Sequence, residues 1–525
     1  MAERSKPLGR YDHGVLGAHV PYLEVSHAAH ILASDMEDVR QRHMFMSFAK
    51  IVLSAYLQAM QIDKTQYKPR RPEQTVLYQV VEQNFEAFLN SVAQADKHVP
   101  NYVIEEFKSY LGCGRLEHGF ARIKCNECDY ERLLPFSCKR RGFCPSCCGR
   151  RMNEGEIRIT EEIFPKQNAR QWVLSLPIPL RFFCSRNRPL LNEIARVFST
   201  VIERLIRRKL RAAGFQKAKS GGILFIQRLG GALNLNVHFH AIFIDGGYAF
   251  DRETETLTFH EMPSLTSEDI AWAVERIFRG CIKVLKQRGM IGDDSLASEE
   301  EPDGIGLCDG SSIKNLIAYG ARAGQPVRRL RIPTEPGTIQ IRGDLAAELN
   351  GFNLKADKVV KAHQRWKLAR LVRYVTRPPV ALERLSLTDD GREVRYIMKK
   401  PWSDGTTEVR LSGIEMVEKL AAAVPPPCGH LTRYLGVLAP NSSLRRMIVP
   451  LPKPKARDND GNMLASATQK IAWAELAKRT FGVDLTKCER CGGKVRRLAV
   501  IHDRRVIDKI LAHLARAGPS EPTVH

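Results

Sequence analysis

The stretch of sequence that decides the fold reads Leu233-Asn234-Leu235-Asn236-Val237-His238-Phe239-His240-Ala241-Ile242. Apolar and polar residues alternate along it, as in a β-strand, where successive side chains point to opposite faces. The alternation places Leu235, Val237 and Phe239 on one face and both histidines on the other. The turn Gly230-Gly231 separates this segment from a second strand pattern, Ile223 to Leu229, so the sequence predicts two paired strands.

Two imidazoles at positions i and i+2 of a strand can hold a divalent ion and leave coordination positions open for a phosphate and a water molecule. A third ligand is then required. Gln227 on the preceding strand is the candidate, because Asp245 has the wrong parity if the strand runs straight. The alternative is a solvated strand face whose two histidines bind nothing, and for this motif alone it is the commoner case.

A basic helix further along the chain carries a candidate nucleophile. The segment from Lys358 to Val375 is compatible with a helix, and the pre-proline rule ends it at Arg377-Pro378. Lys367, Arg370 and Tyr374 recur at spacings of three and four residues and therefore share one face. Cations beside a phenol favour the phenolate, which can attack a phosphodiester and form a phosphotyrosine. A surface tyrosine on a basic helix is the commoner alternative.

Before these elements comes a dense cysteine-rich segment. Cys125-x-x-Cys128 and Cys144-x-x-Cys147 have the spacing of two knuckles that present four thiolates to zinc. Cys113, His118 and Cys138 lie close in sequence and are candidates for a second zinc site. A further half-site, Cys488-x-x-Cys491, has no second pair after it and could borrow His502, use another cysteine, or bind nothing.

The zinc site could be purely structural or could also contact DNA. Basic residues flank the knuckles, and they favour the second alternative. Basic side chains next to a rigid zinc knuckle are placed to contact phosphates. The interpretation adopted is structural zinc with DNA contact. The candidate DNA-binding residues are Lys139, Arg140, Arg141, Arg150 and Arg151.

The composition favours a polyanionic partner in the cytoplasm. Lysine and arginine number 81 against 58 acidic residues, which gives a formal charge of +23. The N-terminus has no apolar signal core and no later stretch suits a bilayer, so we expect a cytoplasmic protein without a membrane partner. Binding to nucleic acid through its positive charge would associate it with the nucleoid of a bacterial cell. Because cytoplasmic thiols stay reduced, the 13 cysteines indicate metal binding rather than disulfides.

The predicted fold class is α+β: an antiparallel-sheet nuclease domain with an N-terminal zinc-binding module and helical flanking segments. An extension of unknown function covers residues 1–70, and a helical lead-in covers 71–112. The zinc-binding domain follows at 113–155, then the catalytic domain at 165–380 with its continuation at 381–452. A linker at 453–462 leads to a helical tail at 463–525 that contains the last cysteine pair.

Between Arg70 and His513 these pieces resemble the transposases of the insertion sequence 91 family, rolling-circle enzymes of the HUH endonuclease superfamily. The motifs that carry the resemblance are Arg70-Arg71-Pro72-Glu73-Gln74, Phe136-Ser137-Cys138-Lys139-Arg140-Arg141-Gly142-Phe143-Cys144-Pro145-Ser146-Cys147, Asn234-Leu235-Asn236-Val237-His238-Phe239-His240, Arg373-Tyr374-Val375-Thr376-Arg377-Pro378-Pro379 and Gly436-Val437-Leu438-Ala439-Pro440-Asn441.

The resemblance implies roles for the two weak motifs. His238 and His240 would bind catalytic Mg²⁺ or Mn²⁺, and Tyr374 would retain the 5′ phosphate of a nicked strand and release a 3′ hydroxyl. The implied partners are single-stranded DNA at the element ends and target DNA. Family members with two tyrosines carry them four residues apart, whereas Arg370 occupies that position here, so the chain looks like the single-tyrosine, common-region (ISCR) branch. Strand transfer then needs one tyrosine acting serially, a second subunit in a homodimer, or attack by the 3′ hydroxyl.

Two other functions compete with this interpretation. A plasmid relaxase or replication initiator would share the His-Phe-His and tyrosine chemistry, but such proteins more often carry a helicase, and no Gly-x-x-x-x-Gly-Lys motif occurs here. A non-enzymatic zinc-ribbon protein that binds nucleic acid would explain the charge and the cysteines. It would leave the histidine strand and the tyrosine helix as coincidences.

Overall fold

The computed structural model describes residues 70–128, 130–290, 303–331, 345–399, 401–402, 404–449 and 484–517, with Ala474, Leu476, Lys478 and Arg479. The extension predicted up to residue 70 lies outside the described residues except for Arg70, and so does the whole predicted linker at 453–462. No helix in these described ranges is both long enough and apolar enough to span a bilayer.

Two helices and a small sheet precede the central domain. Thr75 caps the first helix by accepting a hydrogen bond from the Tyr78 amide at 3.3 Å. The sequence predicted one helical stretch, but the chain breaks before Pro100 and starts a second helix. The elements are α1 (Val76–Gln94), α2 (Asn101–Leu111), β1 (Phe120–Cys125), β2 (Glu131–Pro135) and α3 (Pro145–Ile157), which continues as a π-helical turn, Arg158–Ile163.

The central domain supplies the strands that carry the histidines. Asn187 caps its longest helix by accepting a hydrogen bond from the Leu190 amide at 2.9 Å. The elements are β3 (Ala169–Ser175), α4 (Ile178–Arg186), α5 (Arg188–Ala212), β4 (Gly221–Leu229), β5 (Leu235–Ile244), β6 (Gly246–Phe250), β7 (Leu257–Glu261) and α6 (Ser267–Gln287).

The remaining described elements complete this domain and return to the cysteine-rich module. They are α7 (Gly304–Lys314), β8 (Arg328–Arg331), β9 (Ala346–Leu349), β10 (Phe352–Val360), α8 (Arg365–Thr376), β11 (Leu385–Leu387), β12 (Val394–Ile397), β13 (Thr406–Leu411), α9 (Gly413–Ala423), β14 (Thr432–Gly436), α10 (Arg445–Ile448), β15 (Val495–Ile501) and α11 (Arg504–Ala517).

A six-stranded antiparallel sheet lies at the centre, in the order β14-β4-β5-β3-β10-β9. The pairing of β4 with β5 confirms the two predicted strands, and the mixed architecture confirms the predicted α+β class. Three further sheets among the described residues have the orders β15-β1-β2, β11-β12-β13-β8 and β6-β7.

Each face of the central sheet packs on its own hydrophobic core. Val237 and Phe239 belong to the larger core, where Phe239 stacks on Phe198 of α5 with ring centroids 5.9 Å apart. Ile242 and Ile244 belong to the second core, which also contains Leu368, Val372 and Val375 of α8. Because His238 and His240 share parity with Ile242, both histidines lie on the face that α8 covers.

Two sequence predictions of secondary structure need correction. The segment predicted as one helix from Lys358 begins as the end of β10, and the helix starts only at Arg365. The apolar residues of Phe352–Val360 alternate as they do in a strand. The sequence prediction missed this alternation because basic residues that fit a helix follow directly. The tail predicted as helical contains β15, which pairs with β1 across more than 360 residues of chain.

Candidate active site

The two histidines of β5 form the centre of the site. Their ring centroids lie 5.0 Å apart at an angle of 68°. His240 is almost fully buried, and His238 is half-buried. A rigid central strand, paired on both sides, therefore holds the two imidazoles together on one face.

Each imidazole has a polar partner at Nδ1. His238 Nδ1 lies 2.7 Å from the Asn236 carbonyl oxygen, which can only accept, so this nitrogen carries the proton and Nε2 keeps its lone pair. His240 Nδ1 lies 3.0 Å from the side-chain amide of the buried Gln171 on β3. The atom facing Nδ1 is the amide nitrogen Nε2, which donates, so Nδ1 accepts in this arrangement. An ion at Nε2 of His240 would require this amide to turn over and present its oxygen to a protonated Nδ1.

Sequence reasoning missed Gln171. The signal available was a polar residue directly before the apolar run Trp172-Val173-Leu174, but only the register of β3 on β5 brings it to His240. Asp245 was excluded from the site on parity, and it forms a two-pronged ion pair with Arg170 at 2.8 and 3.0 Å instead.

Both imidazoles are held in the neutral form. Burial lowers the pKa of His238, and burial together with His238, Arg377 and Lys358 lowers the pKa of His240 to about 3. A neutral imidazole is the form that binds metal, so the pair is ready for a divalent ion without first losing protons.

Gln227 lies where the sequence placed the third ligand. It is the register partner of His238 on the neighbouring strand. Its Nε2 donates a hydrogen bond to the Val375 carbonyl at 2.6 Å, which fixes the amide orientation, since only the NH₂ group can donate to a carbonyl. The amide oxygen therefore stays available as a ligand, and the same side chain ties the end of α8 to the histidine strand.

Tyr374 lies next to the histidine pair. Its ring centroid is 6.1 Å from that of His240, and the two rings meet edge to face at 88°. The side chain is 40% exposed, so a DNA strand can reach its hydroxyl. The structure thus brings together the strand and the helix that the sequence could only suggest separately.

Helix α8 is fixed on the sheet from both ends. At its start, Arg365 donates to the carbonyl oxygens of Pro165 and Phe164 at 3.0 and 2.9 Å and also to that of Thr160. At its end, the bond from Gln227 holds Val375. Together with the apolar contacts of Leu368 and Val372, these bonds orient Tyr374 toward His240.

The cations around the tyrosine differ from those expected. Lys367 Nζ and the guanidinium of Arg370 lie over the Trp366 ring, 5.4 and 5.8 Å from its centroid. The cations over the Tyr374 ring are Arg377 at 4.8 Å and Lys358 at 5.9 Å. Helical spacing could not reveal these two, because Arg377 follows the last turn of α8 and Lys358 comes from β10.

The cysteines group differently from the sequence prediction. The two predicted knuckles, Cys125/Cys128 and Cys144/Cys147, do not share a site. Each knuckle instead joins cysteines from elsewhere in the chain. The reason is that the Cys125/Cys128 turn joins β1 to β2, and β2 then leads the chain away from that turn. The two groups, each with its sulfur atoms within 4.8 Å of one another, are Cys113, Cys138, Cys144, Cys147 and Cys125, Cys128, Cys488, Cys491.

The first group has the chemistry of a structural zinc site. Cys144 Sγ is 3.6 Å from Cys113 Sγ, and Cys138 Sγ is 3.4 Å from Cys147 Sγ. Four thiolates in one buried cluster suit tetrahedral zinc. His118, expected as a further candidate, is not part of this group and lies against Gly112.

Several of the predicted DNA-binding cations have structural partners. Arg140 donates to the Ser109 hydroxyl at 3.0 Å, and Arg151 donates to the carbonyl oxygens of Arg140 and Lys139. Lys139 and Arg141 are exposed and Arg150 is half-exposed, although Arg141 also donates to the Gly429 carbonyl at 2.7 Å. Not all five are therefore equally available to DNA.

A cleft of about 440 Å³ connects the zinc module to the active site. Helix α3 forms one wall, and β4, β14 and the residues after α8 form the other. Its lining includes Arg141, Arg158, Gln227, Arg377 and Tyr434. A positively charged groove with an aromatic side chain is typical of surfaces that bind single-stranded nucleic acid.

Known proteins match both halves of this arrangement. The family model described as "Putative transposase" matches residues 221–446, and the model of the transposase zinc-binding domain matches residues 80–176. The transposase for insertion sequence element IS801 of Pseudomonas savastanoi pv. phaseolicola is 22% identical over 400 residues, which cover 75% of this chain and 82% of that protein. No solved structure matches the chain with significance. With matches on both the zinc-binding module and the sheet that carries His238, the chain is similar to the transposases of the insertion sequence 91 (IS91) family.

Proposed function

We propose that this transposase nicks a single DNA strand through attack by Tyr374 and transfers it in rolling-circle transposition. The observation that carries the proposal is the position of Tyr374, 6.1 Å from His240 between ring centroids, on a helix fixed to the histidine strand. A tyrosine and a metal-ligand pair on one exposed face can act on the same phosphodiester.

The side chains at the centre fit a divalent ion. His238 and His240 are neutral, and the amide oxygen of Gln227 supplies a hard third donor of the kind that Mg²⁺ and Mn²⁺ accept. A bound ion would polarise the scissile phosphate. Because all three ligands are uncharged, the DNA phosphate itself would add the negative charge at the site, so we expect ion and DNA to bind cooperatively.

The chain's own groups carry out the covalent step. The Tyr374 oxygen bonds to phosphorus while the bond from phosphorus to the 3′ oxygen breaks, and that oxygen takes up a proton to become the 3′ hydroxyl. Arg377 and Lys358, which lie over the Tyr374 ring, would stabilise the negative charge that develops on the phosphate. Attack of a 3′ hydroxyl on the phosphotyrosine reverses the step and rejoins the strand.

DNA is positioned by surfaces outside the chemical centre. Lys367 and Arg370, which lie with Trp366 on α8, are proposed to contact the backbone beside the cut. The cleft between α3 and β14 leads the strand from the zinc module toward Gln227. Backbone contacts of this kind supply affinity without sequence specificity.

The test uses end-labelled single strands from the flanks of the protein's own gene, incubated with Mn²⁺ and resolved on denaturing gels. The wild type should form a labelled protein adduct, and Tyr374→Phe should form none while it binds the strands equally well. Tyr248→Phe, the same change at a buried tyrosine of β6, should keep the adduct. A wild type that binds DNA tightly and never forms an adduct would identify a zinc-ribbon binder instead.

A further inference from the structure

The second cysteine group joins two distant parts of the chain. Cys125 and Cys128 lie at the end of β1 and in the turn after it, and Cys488 and Cys491 lie in the turn before β15. Cys125 Sγ is 3.5 Å from Cys491 Sγ, and Cys128 Sγ is 3.6 Å from Cys488 Sγ. The half-site at Cys488 thus has a partner pair, which is Cys125 and Cys128 of the same chain rather than His502.

The backbone around both pairs has the form of two facing knuckles. The amide of Glu127 points to Cys125 Sγ and that of Gly493 to Cys491 Sγ, each at 3.4 Å, so both turns direct an N–H group at a sulfur atom. Gly492 adopts φ +73°, a conformation that favours glycine and closes the second turn. The Asn126 amide also donates to the Lys494 carbonyl at 3.0 Å, which fastens one knuckle to the other.

The chain that follows is held by strand pairing and polar contacts, such as that of Arg504 with the Glu117 carbonyl, more than by apolar packing. β15 pairs with β1 from Phe120↔Ile501 to Cys125↔Val495. Among residues 484–516, however, the buried side chains are those of Leu485, Cys488 and Ile507. A segment that buries so few apolar side chains gains little stability from the hydrophobic effect. In such small units, a bound metal ion commonly supplies the stability that the hydrophobic core does not.

We propose that Cys125, Cys128, Cys488 and Cys491 bind a second zinc ion, which fastens the C-terminal segment to the N-terminal module. Four cysteine sulfurs within 4.8 Å form the donor set that zinc prefers in closed structural sites. The ion acts as a clasp between two parts of the chain separated by 360 residues. This inference does not depend on the chemistry proposed for Tyr374.

The clasp also adds positive charge beside the module. Zinc binding would hold Arg496 and Arg497, both exposed on β15, next to Lys124 and Ile123 of β1. The sheet β15-β1-β2 then presents cations from two distant parts of the chain on one small unit. Loss of the ion should therefore release α11 and β15 and weaken DNA binding as a secondary effect.

The first test counts zinc per chain by mass spectrometry of the purified full-length protein. The wild type should hold two ions, and both Cys488→Ser/Cys491→Ser and Cys125→Ser/Cys128→Ser should hold one. The control Cys428→Ser changes an exposed cysteine outside both groups and should hold two. One ion in the wild type, or two in either double variant, would overturn the proposal.

A second measurement covers the case in which the double variants do not fold. Cys491→His keeps four ligands, so the protein should still bind two Co²⁺ ions with a weaker sulfur-to-cobalt absorption than the wild type. Limited proteolysis of the wild type with a C-terminal tag should release the tag fragment at least tenfold faster after chelation. An unchanged cobalt spectrum in Cys491→His, or cleavage that chelation does not alter, would contradict the clasp.

Discussion

Single residues around the histidine pair set its chemistry. Gln171 and Asn236 contact the Nδ1 atoms, and Gln227 is the register partner of His238. None of these side chains or carbonyls is charged, whereas the nearby cations Arg377 and Lys358 act with burial to keep His240 neutral. In the proposed function, the site would therefore bind a cation through neutral donors and attract a phosphate through cations.

Metal binding should be insensitive to mild acid. A histidine with the ordinary pKa near 6.5 would be protonated at pH 5.5, and each such ligand would cost roughly tenfold in metal affinity. The pKa of His240 is lowered to about 3, so protons compete only as the pH falls toward that value. Mn²⁺ titration of the Tyr374→Phe complex with DNA, followed by electron paramagnetic resonance, should give affinities within about twofold at pH 7.5 and 5.5.

The control for this pH experiment is His240→Ala, which should bind Mn²⁺ weakly at both values. A Mn²⁺ affinity of the Tyr374→Phe complex that falls by a factor of ten or more between pH 7.5 and 5.5 would show that the pair titrates like exposed histidines. The assignment of these imidazoles as buried, neutral ligands would then be wrong.

Gln171 should act as a positioning residue for His240. Replacing it with leucine removes the partner of Nδ1 at nearly constant volume, and loss of such a partner typically costs about 10- to 100-fold in metal affinity. We expect Gln171→Leu to raise the Mn²⁺ concentration needed for half-maximal nicking by that factor, with maximal nicking restored at saturating Mn²⁺. Gln216→Leu, at an exposed glutamine after α5, should behave as wild type. Equal Mn²⁺ requirements for Gln171→Leu and wild type would show that Gln171 does not position His240.

Helix α8 shows what a pattern within one element can and cannot predict. Its helical end and the position of Tyr374 on it followed from the spacing and from Pro378. Its true start at Arg365 and the cations facing the tyrosine depend on packing against β10 and on the chain after the helix. Such contacts leave no periodic signal, so Lys358 and Arg377 could not be found from the sequence.

The cations on and around α8 should separate by function. Arg377→Leu removes the guanidinium 4.8 Å from the Tyr374 ring centroid and should slow adduct formation in a single turnover by about 100-fold. Arg370→Leu changes a cation that lies over Trp366 and should slow the same step by less than about threefold. Rapid-quench kinetics at saturating DNA measures both, and the reverse order of effects would refute the assignment of roles.

At the scale of the whole molecule, the chain order hides the spatial order. The sequence could predict the strands of the sheet and the face that carries the histidines, because the alternation of apolar and polar residues is a local signal. It could also predict that the cysteine-rich module binds zinc, because Cys-x-x-Cys spacing is local too. The cysteine pairing could not be predicted, since Cys113 joins Cys144 and Cys125 joins Cys491 only after β1, β2 and β15 assemble. The C-terminal tail is in consequence part of the N-terminal module.

The same long-range assembly links the zinc module to the domain that carries His238, His240 and Tyr374. Helix α3 of the module packs against α8, where Arg373 contacts Glu156 at 3.5 Å. The cleft that α3 lines ends at Gln227 and Arg377. A DNA strand held by the module would therefore approach the tyrosine along a cationic surface.

The most direct measurement of the central claim is the chemical identity of the residue bound to DNA. A cleaved strand left on the protein would be trimmed by nuclease, the protein digested with trypsin, and the peptide sequenced by mass spectrometry. Because trypsin does not cut before proline, Tyr374 should be recovered in the peptide 374–384, with a nucleotide joined through its 5′ phosphate to the phenol oxygen. A nucleotide on another residue, such as Tyr434 in the cleft, or cut strands with no covalent link to protein, would contradict the account.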